Sequence, residues 1–166
     1  MAYTIVDAQP NDAPVIQHLA CMIRPGAYAE ILSARQVSYM LHLMYAIPML
    51  QQQMASGQQQ FLLLLNEQQQ PVGFAGWGLE KAPHLAKLHK LYVLPCTAGT
   101  GAGSTLLQQV LHRAKQAGAT HLQLQVNKHN KAQQFYLRQG FTVVESKVMD
   151  IGNGFVMDDY IMQRAL

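Results

Sequence analysis

Residues 91–107 read Leu-Tyr-Val-Leu-Pro-Cys-Thr-Ala-Gly-Thr-Gly-Ala-Gly-Ser-Thr-Leu-Leu. An apolar, strand-forming run stops at Pro95, the glycines Gly99, Gly101 and Gly103 alternate, and a helical pattern opens at about Ser104. A glycine-rich turn feeding a helix leaves several backbone N–H groups bare, because no side chain stands over them. Those donors lie at the positive end of the helix dipole, worth roughly half an elementary charge. The chemistry this spacing offers is the binding of a phosphate group. Spacing also excludes two common phosphate loops. A P-loop ends in Gly-Lys-Ser/Thr, and the chain has no Gly-Lys pair. The dinucleotide fingerprint needs a third glycine three places after its second, where this chain has Ser104 or Leu106.

The elements that must position this loop follow from periodicity. A strand is expected over residues 3–6. A helix capped by Asn11 or Asp12 should follow and end at Pro25-Gly26. Residues 34–55 read as helical, with Val37, Met40, Leu41 and Met44 on one face and Pro48 kinking or splitting the run. Strands are expected over 61–65, 72–79 and 85–94, the last delivering the loop. The helix after it carries the apolar stripe Leu106, Leu107, Val110, Leu111 and Ala114 and stops at Gly118. A strand (121–126), a helix (130–139) and two strands (141–148 and 155–162) complete an α/β (α+β) layering around one mixed sheet of six to seven strands.

At 166 residues the chain suits one domain. No charged-then-apolar leader and no bilayer-length apolar run is present, and Cys21 and Cys96 form no CxxC pair, so a reducing, cytoplasmic setting is expected. Seven scattered histidines lack ligand spacing, so no metal is expected. Charge is uneven. From Lys81 to Val144 there are eight basic residues and no acid, while the remainder holds four basic and nine acidic residues, for a net +3. This pattern suits an anionic ligand on one side and a cationic one on the other. The basic window lacks the interleaved aromatics of a base-stacking surface, which sets nucleic acid aside.

A second motif follows the loop: Asn130, Ala132, Phe135, Tyr136, Gly140 and Phe141, in the pattern Asn-x-Ala-x-x-Phe-Tyr-x-x-x-Gly-Phe. With Gly101 and Gly103 after a strand, and one strand between the two motifs, the chain resembles the GCN5-related N-acetyltransferase (GNAT) superfamily. The resemblance implies a mostly antiparallel sheet splayed between its fourth and fifth strands, and acetyl-CoA as cosubstrate. The pyrophosphate would sit on Gly99, Thr100, Gly101, Ala102, Gly103 and Ser104. Main chain of the strand at Leu91, Tyr92 and Val93 would meet the pantetheine arm. Asn130 would reach that arm or cap its helix. Lys115, Lys128 or Lys131 would face the ribose phosphate. The chain departs from the family at Ala98, where Arg or Gln is usual.

The same resemblance implies acetyl transfer to a primary amine by direct attack in a ternary complex. Tyr136 holds the family's general-acid position. His89 is the candidate base, two residues before Leu91 and, by strand alternation, on the same face, with Glu80, His84 or water as alternatives. The Val93 amide would stabilise the oxyanion. Acidic flanks containing Glu30, Asp158 and Asp159 suggest a cationic small molecule (a polyamine or amino sugar) or a peptide amine. A homodimer is compatible with these features. The rival reading is a CoA-binding sensor or regulatory module without chemistry.

Overall fold

The computed structural model describes residues 2–166. Seven strands among them form one sheet: β1 Thr4–Asp7, β2 Gln60–Leu65, β3 Pro71–Leu79, β4 Leu85–Val93, β5 His121–Asn127, β6 Thr142–Gly152 and β7 Phe155–Ala165. Their spatial order is β1-β2-β3-β4-β5-β7-β6. Neighbours run antiparallel except β4 and β5, which are parallel. This is the mixed, mostly antiparallel sheet the sequence predicts. Five helices, α1 Ala13–Tyr28, α2 Ala34–Met44, α3 Ile47–Ala55, α4 Ala102–Gln116 and α5 Ala132–Arg138, cover it.

Successive strand side chains point to opposite faces, so each face builds its own core. On one face the α4 stripe of Leu106, Leu107, Val110, Leu111 and Ala114 packs with Leu62, Leu64, Leu88, Leu122 and Leu124. On the other, Ile16, Leu19 and Ile23 of α1 meet Phe61, Leu63 and Phe74. Because both faces of β2 are covered, Phe61, Leu62, Leu63 and Leu64 are all buried, which explains its unbroken apolar run. No helix among the described residues is long and apolar enough to cross a membrane.

Two proline expectations resolve differently. Pro48 splits the predicted 34–55 region as expected, sitting in the first turn of α3, where its missing N–H costs nothing. Pro25 does not end α1, which continues to Tyr28. Pro25 removes the bond to the Cys21 carbonyl, but Cys21 is exposed and water can satisfy that carbonyl. Arg24 and Tyr28, buried on the inner side of this last turn, hold it against the sheet.

The sheet opens between β4 and β5. They pair only from Leu85↔His121 to Leu88↔Leu124. Beyond that point β4 stays paired with β3 as far as Val93, and β5 with β7 as far as Asn127. A β-bulge causes the divergence: Trp77 pairs with Leu88 and Gly76 with Lys90, leaving His89 as the extra residue. Bulges bend and twist the strand that carries them.

Candidate active site

The glycine-rich loop leaves β4 through a 3-10 turn at Pro95–Thr97. Gly99 and Gly101 then adopt φ of 76° and 81°, the left-handed region that penalises residues with a Cβ. The Thr97 hydroxyl donates to the Leu94 carbonyl at 2.6 Å. The Thr100 amide and hydroxyl both donate to the Thr97 carbonyl, and Tyr3 Oη lies 2.7 Å from the same hydroxyl. Thr100 is thereby committed to shaping the loop. The amides of Gly99, Gly101, Ala102, Gly103 and Ser104 donate to no acceptor among the described residues. Five bare donors thus surround the start of α4, and the exposed Ala98, with only a methyl, adds no side-chain donor. A Cβ at Gly101 would touch nothing within 4 Å, so Gly101→Ala tests conformation alone. It should cost about 1 kcal/mol of stability in a denaturant titration and weaken anion binding at the loop.

A slot of about 50 Å³ lies in the opening of the sheet, walled by Tyr28, residues 88–92 of β4, residues 124–126 of β5, and Asn130, Ala132 and Tyr136. The Asn130 side chain accepts from the Ala132 amide at 2.9 Å and so starts α5. Tyr136 is buried, packed edge-on against Phe135 and Phe141. Its hydroxyl has no hydrogen-bond partner among the described residues, and burial, with Tyr92 nearby, holds the phenol well above its ordinary pKa.

The slot joins a larger cavity of about 370 Å³ on the α1 side, sharing Tyr28, Leu88, His89, Lys90, Tyr92 and Gln125. Met40, Met44, Met49 and Met157 form apolar parts of its wall. Asp159, only 3% exposed, lines it from β7 opposite Asn127. No hydrogen bond or ion pair among the described residues engages this carboxylate, and burial followed by repulsion from Asp158 pushes its pKa up to about 6. Lys90 donates to Gln59 Oε1 at 3.0 Å, and burial, then Arg24 and Lys87, lower it to about 8. Arg24 Nη1 donates to Tyr92 Oη at 2.8 Å, and its guanidinium stands 4.9 Å from the Tyr28 ring centroid.

His89 lies where slot and cavity meet. Burial first, then Lys87 and Lys90, push its pKa down to about 4, so at neutral pH it is an uncharged and weak base. The bulge also corrects its expected placement. Ala86 and Leu88 before it, and Leu91 and Val93 after it, pack on the α4 face, so simple alternation does not carry His89 onto the side of Leu91. Glu80 lies 3.9 Å from His89 Nε2. His84 is exposed in the β3–β4 turn with Nδ1 3.2 Å from the Gly118 carbonyl, and it lines neither slot nor cavity. Lys128 pairs with Asp158 at 2.8 Å, and Glu30 is exposed, which leaves Asp159 as the one of the three noted acids on the cavity wall.

Arg24, Tyr28, Tyr45 and Lys90 have no counterpart among the residues singled out from sequence. The available signal was the placement of Arg24 and Tyr28 four apart, but the Pro25-Gly26 pair between them masked it.

Residues 29–162 match the family model described as Acetyltransferase (GNAT) domain. An uncharacterised N-acetyltransferase of Mycobacterium tuberculosis is 40% identical over 81 residues, 48% of this chain and 51% of that protein. The chain therefore aligns with about half the length of the curated relatives it matches. The structure of the PaiA N-acetyltransferase from Thermoplasma acidophilum in complex with coenzyme A superposes with a TM-score of 0.84 at 22% identity, covering 100% of both chains. A GCN5-related N-acetyltransferase from Rhodopseudomonas palustris gives 0.83 at 22% identity, covering 100% of this chain and 97% of that one.

Proposed function

The chain belongs to the GNAT acetyltransferase family, and from that premise we propose that it moves an acetyl group from acetyl-CoA to a primary amine by direct attack in a ternary complex. One observation carries this reading: the unpaired edges of β4 and β5 run from five bare loop amides to a cavity with a buried, unpartnered carboxylate. Unsatisfied main-chain groups call for a partner. A diphosphate suits the loop, and an arm with its own amides suits the strand edge at Leu91, Tyr92 and Val93.

Asp159 takes the role of base. An ordinary alkylamine titrates near ~10.4, so freeing it at pH 7 costs roughly 4–5 kcal/mol. Asp159 attracts the ammonium and is ionised at pH 7, while the neighbouring cations Lys90 and Lys87 favour the neutral amine. His89, too weakly basic to hold the proton, accepts a hydrogen bond from the amine and orients it. A β4 amide, that of Val93, donates to the thioester oxygen as charge develops there. Tyr136 donates to the departing sulfur. The acceptor amine belongs to a small molecule, such as a polyamine or amino sugar, or to a peptide.

Calorimetry with acetyl-CoA and thiol release in the presence of amines test this together. Binding and amine-dependent release are expected. A flat isotherm at millimolar acetyl-CoA would overturn the proposal, and binding without release on any amine would leave the sensor reading in its place.

A further inference from the structure

The cavity that receives the amine carries more positive than negative charge. Arg24, Lys87 and Lys90 line it against the single carboxylate of Asp159. Lys87 is partly answered by Gln125, whose Oε1 lies 2.8 Å from its Nζ. Arg24 and Lys90 have no carboxylate within 4 Å among the described residues. Arg24 is 5% exposed, its Nε is buried without an acceptor, and its Nη2 donates to no group among the described residues. A buried guanidinium is always charged, and leaving one unpaired is costly. Three phenols around it supply ring faces and one short hydrogen bond, but no counter-charge.

Position adds a second argument. Arg24 reaches the cavity from α1, and Asp159 from β7. Each lacks an ionic partner, they do not pair with one another, and both line the same cavity. Two unmatched, opposite charges lining one cavity are complementary to a molecule that bears both an ammonium and an anion. A planar guanidinium fits a carboxylate through two parallel N–H donors. The methionines of the same wall offer pliable apolar surface.

We infer that the acceptor is an amino acid with an apolar side chain, its carboxylate held by Arg24 with Lys90 in support and its amine presented to Asp159. This rests on the acetyltransferase reading and narrows it. A polyamine or amino sugar would place further positive charge against Arg24 and Lys90, and such like-charge contacts discriminate against a ligand.

Thiol release from acetyl-CoA should be measured at pH 7.5 with leucine, leucinamide, isoamylamine, spermidine and glucosamine. Leucine should give the highest kcat/KM, exceeding leucinamide and isoamylamine by roughly 10- to 100-fold, the range for losing a charge-assisted hydrogen bond. Leucinamide has the less basic amine, with more of it neutral at this pH, so the comparison leans against the inference. Arg24→Met should bring the leucine-to-leucinamide ratio toward one, while Arg24→Lys retains part of it. The wild-type panel decides even if the Met variant fails to fold. Equal or faster reaction of leucinamide, isoamylamine, spermidine or glucosamine would overturn the amino-acid assignment and leave acetyl transfer standing. Silence from all five amines despite calorimetric binding of acetyl-CoA would overturn this assignment, and release with a peptide amine would then show acetyl transfer standing without it.

Discussion

Asp159→Asn should lower kcat/KM by roughly 10²- to 10³-fold, the usual contribution of a positioned proton acceptor. The substitution keeps size and shape while removing both the charge that draws the ammonium and the site that takes its proton. In the wild type, kcat/KM should rise through pH 6 as Asp159 ionises, its pKa being about 6. The groups that face this carboxylate are Lys87 from β4, Arg24 from α1, Lys128 after β5, Asp158 beside it and Lys147 opposite it on β6. Of these, Arg24 and the lysines stay charged across the acid range, and His89 on the same cavity gains its proton only near pH 4, so the limb near pH 6 belongs to Asp159. Above pH 8 the rate on an anionic acceptor should fall as Lys90 loses its proton. The Asn variant should lose the acid limb and keep the alkaline one. A variant that retains both the rate and the limb near pH 6 would remove Asp159 from the mechanism.

The same substitution has a stability readout of the opposite sign. Asp159 has a folded pKa of about 6 against 3.8 for a free side chain. Below about pH 4 both states hold the proton, and its favourable contribution is complete. Between 4 and 6 the unfolded chain releases the proton while the folded chain keeps it, so stability is lost as pH rises, and above 6 the loss is complete. Asparagine has no such loss. Thermal melts should therefore show Asp159→Asn more stable than the wild type at pH 7–8, with the difference shrinking toward pH 4. A residue that destabilises the fold while its removal abolishes activity is doing chemistry and not packing.

The parts of this site legible in the sequence are those whose chemistry is local. Gly99 and Gly101 are bound to their turn by positive φ, and the bare amides follow from the loop alone. The motif from Asn130 to Phe141 is likewise confined to one helix and its cap, so Tyr136 could be placed at once. What escaped reading depends on distant elements. The bulge at His89 exists only in the pairing of β4 with β3, and a period-two count cannot reveal an extra residue. Arg24 reads as the last residue before a helix stop, whereas tertiary contacts carry the helix on and bury it against Tyr92 from β4. Asp159 was visible only as one of several acids in a flank. Its distinction from Asp158, paired with Lys128, comes from the alternation of β7, which turns one carboxylate outward and the other into the cavity.

Tyr136→Phe should reduce kcat by about 10²-fold while leaving acetyl-CoA affinity within a factor of about two. The ring is buried between Phe135 and Phe141, and its hydroxyl makes no hydrogen bond among the described residues, so losing the oxygen removes no structural contact. The effect must therefore be read at the leaving sulfur. A thiol of ordinary pKa ~8.5 departs as an anion into a narrow slot with little room for water, where an uncompensated charge is expensive. Because burial holds the phenol far above that value, Tyr136 remains protonated at every working pH and always presents a donor. It should thus add no alkaline limb to the rate profile, unlike Lys90. The raised pKa also makes full transfer of the phenolic proton uphill, so the hydroxyl should keep its proton and act by hydrogen-bonding the thiolate, which is protonated after it leaves the slot. An acyl donor with a more acidic thiol leaving group needs less of that help. The Phe variant should accordingly recover most of its lost rate on a thioester of an aromatic thiol bound in the same slot. An equal loss on both donors would remove the hydroxyl from stabilisation of the leaving sulfur.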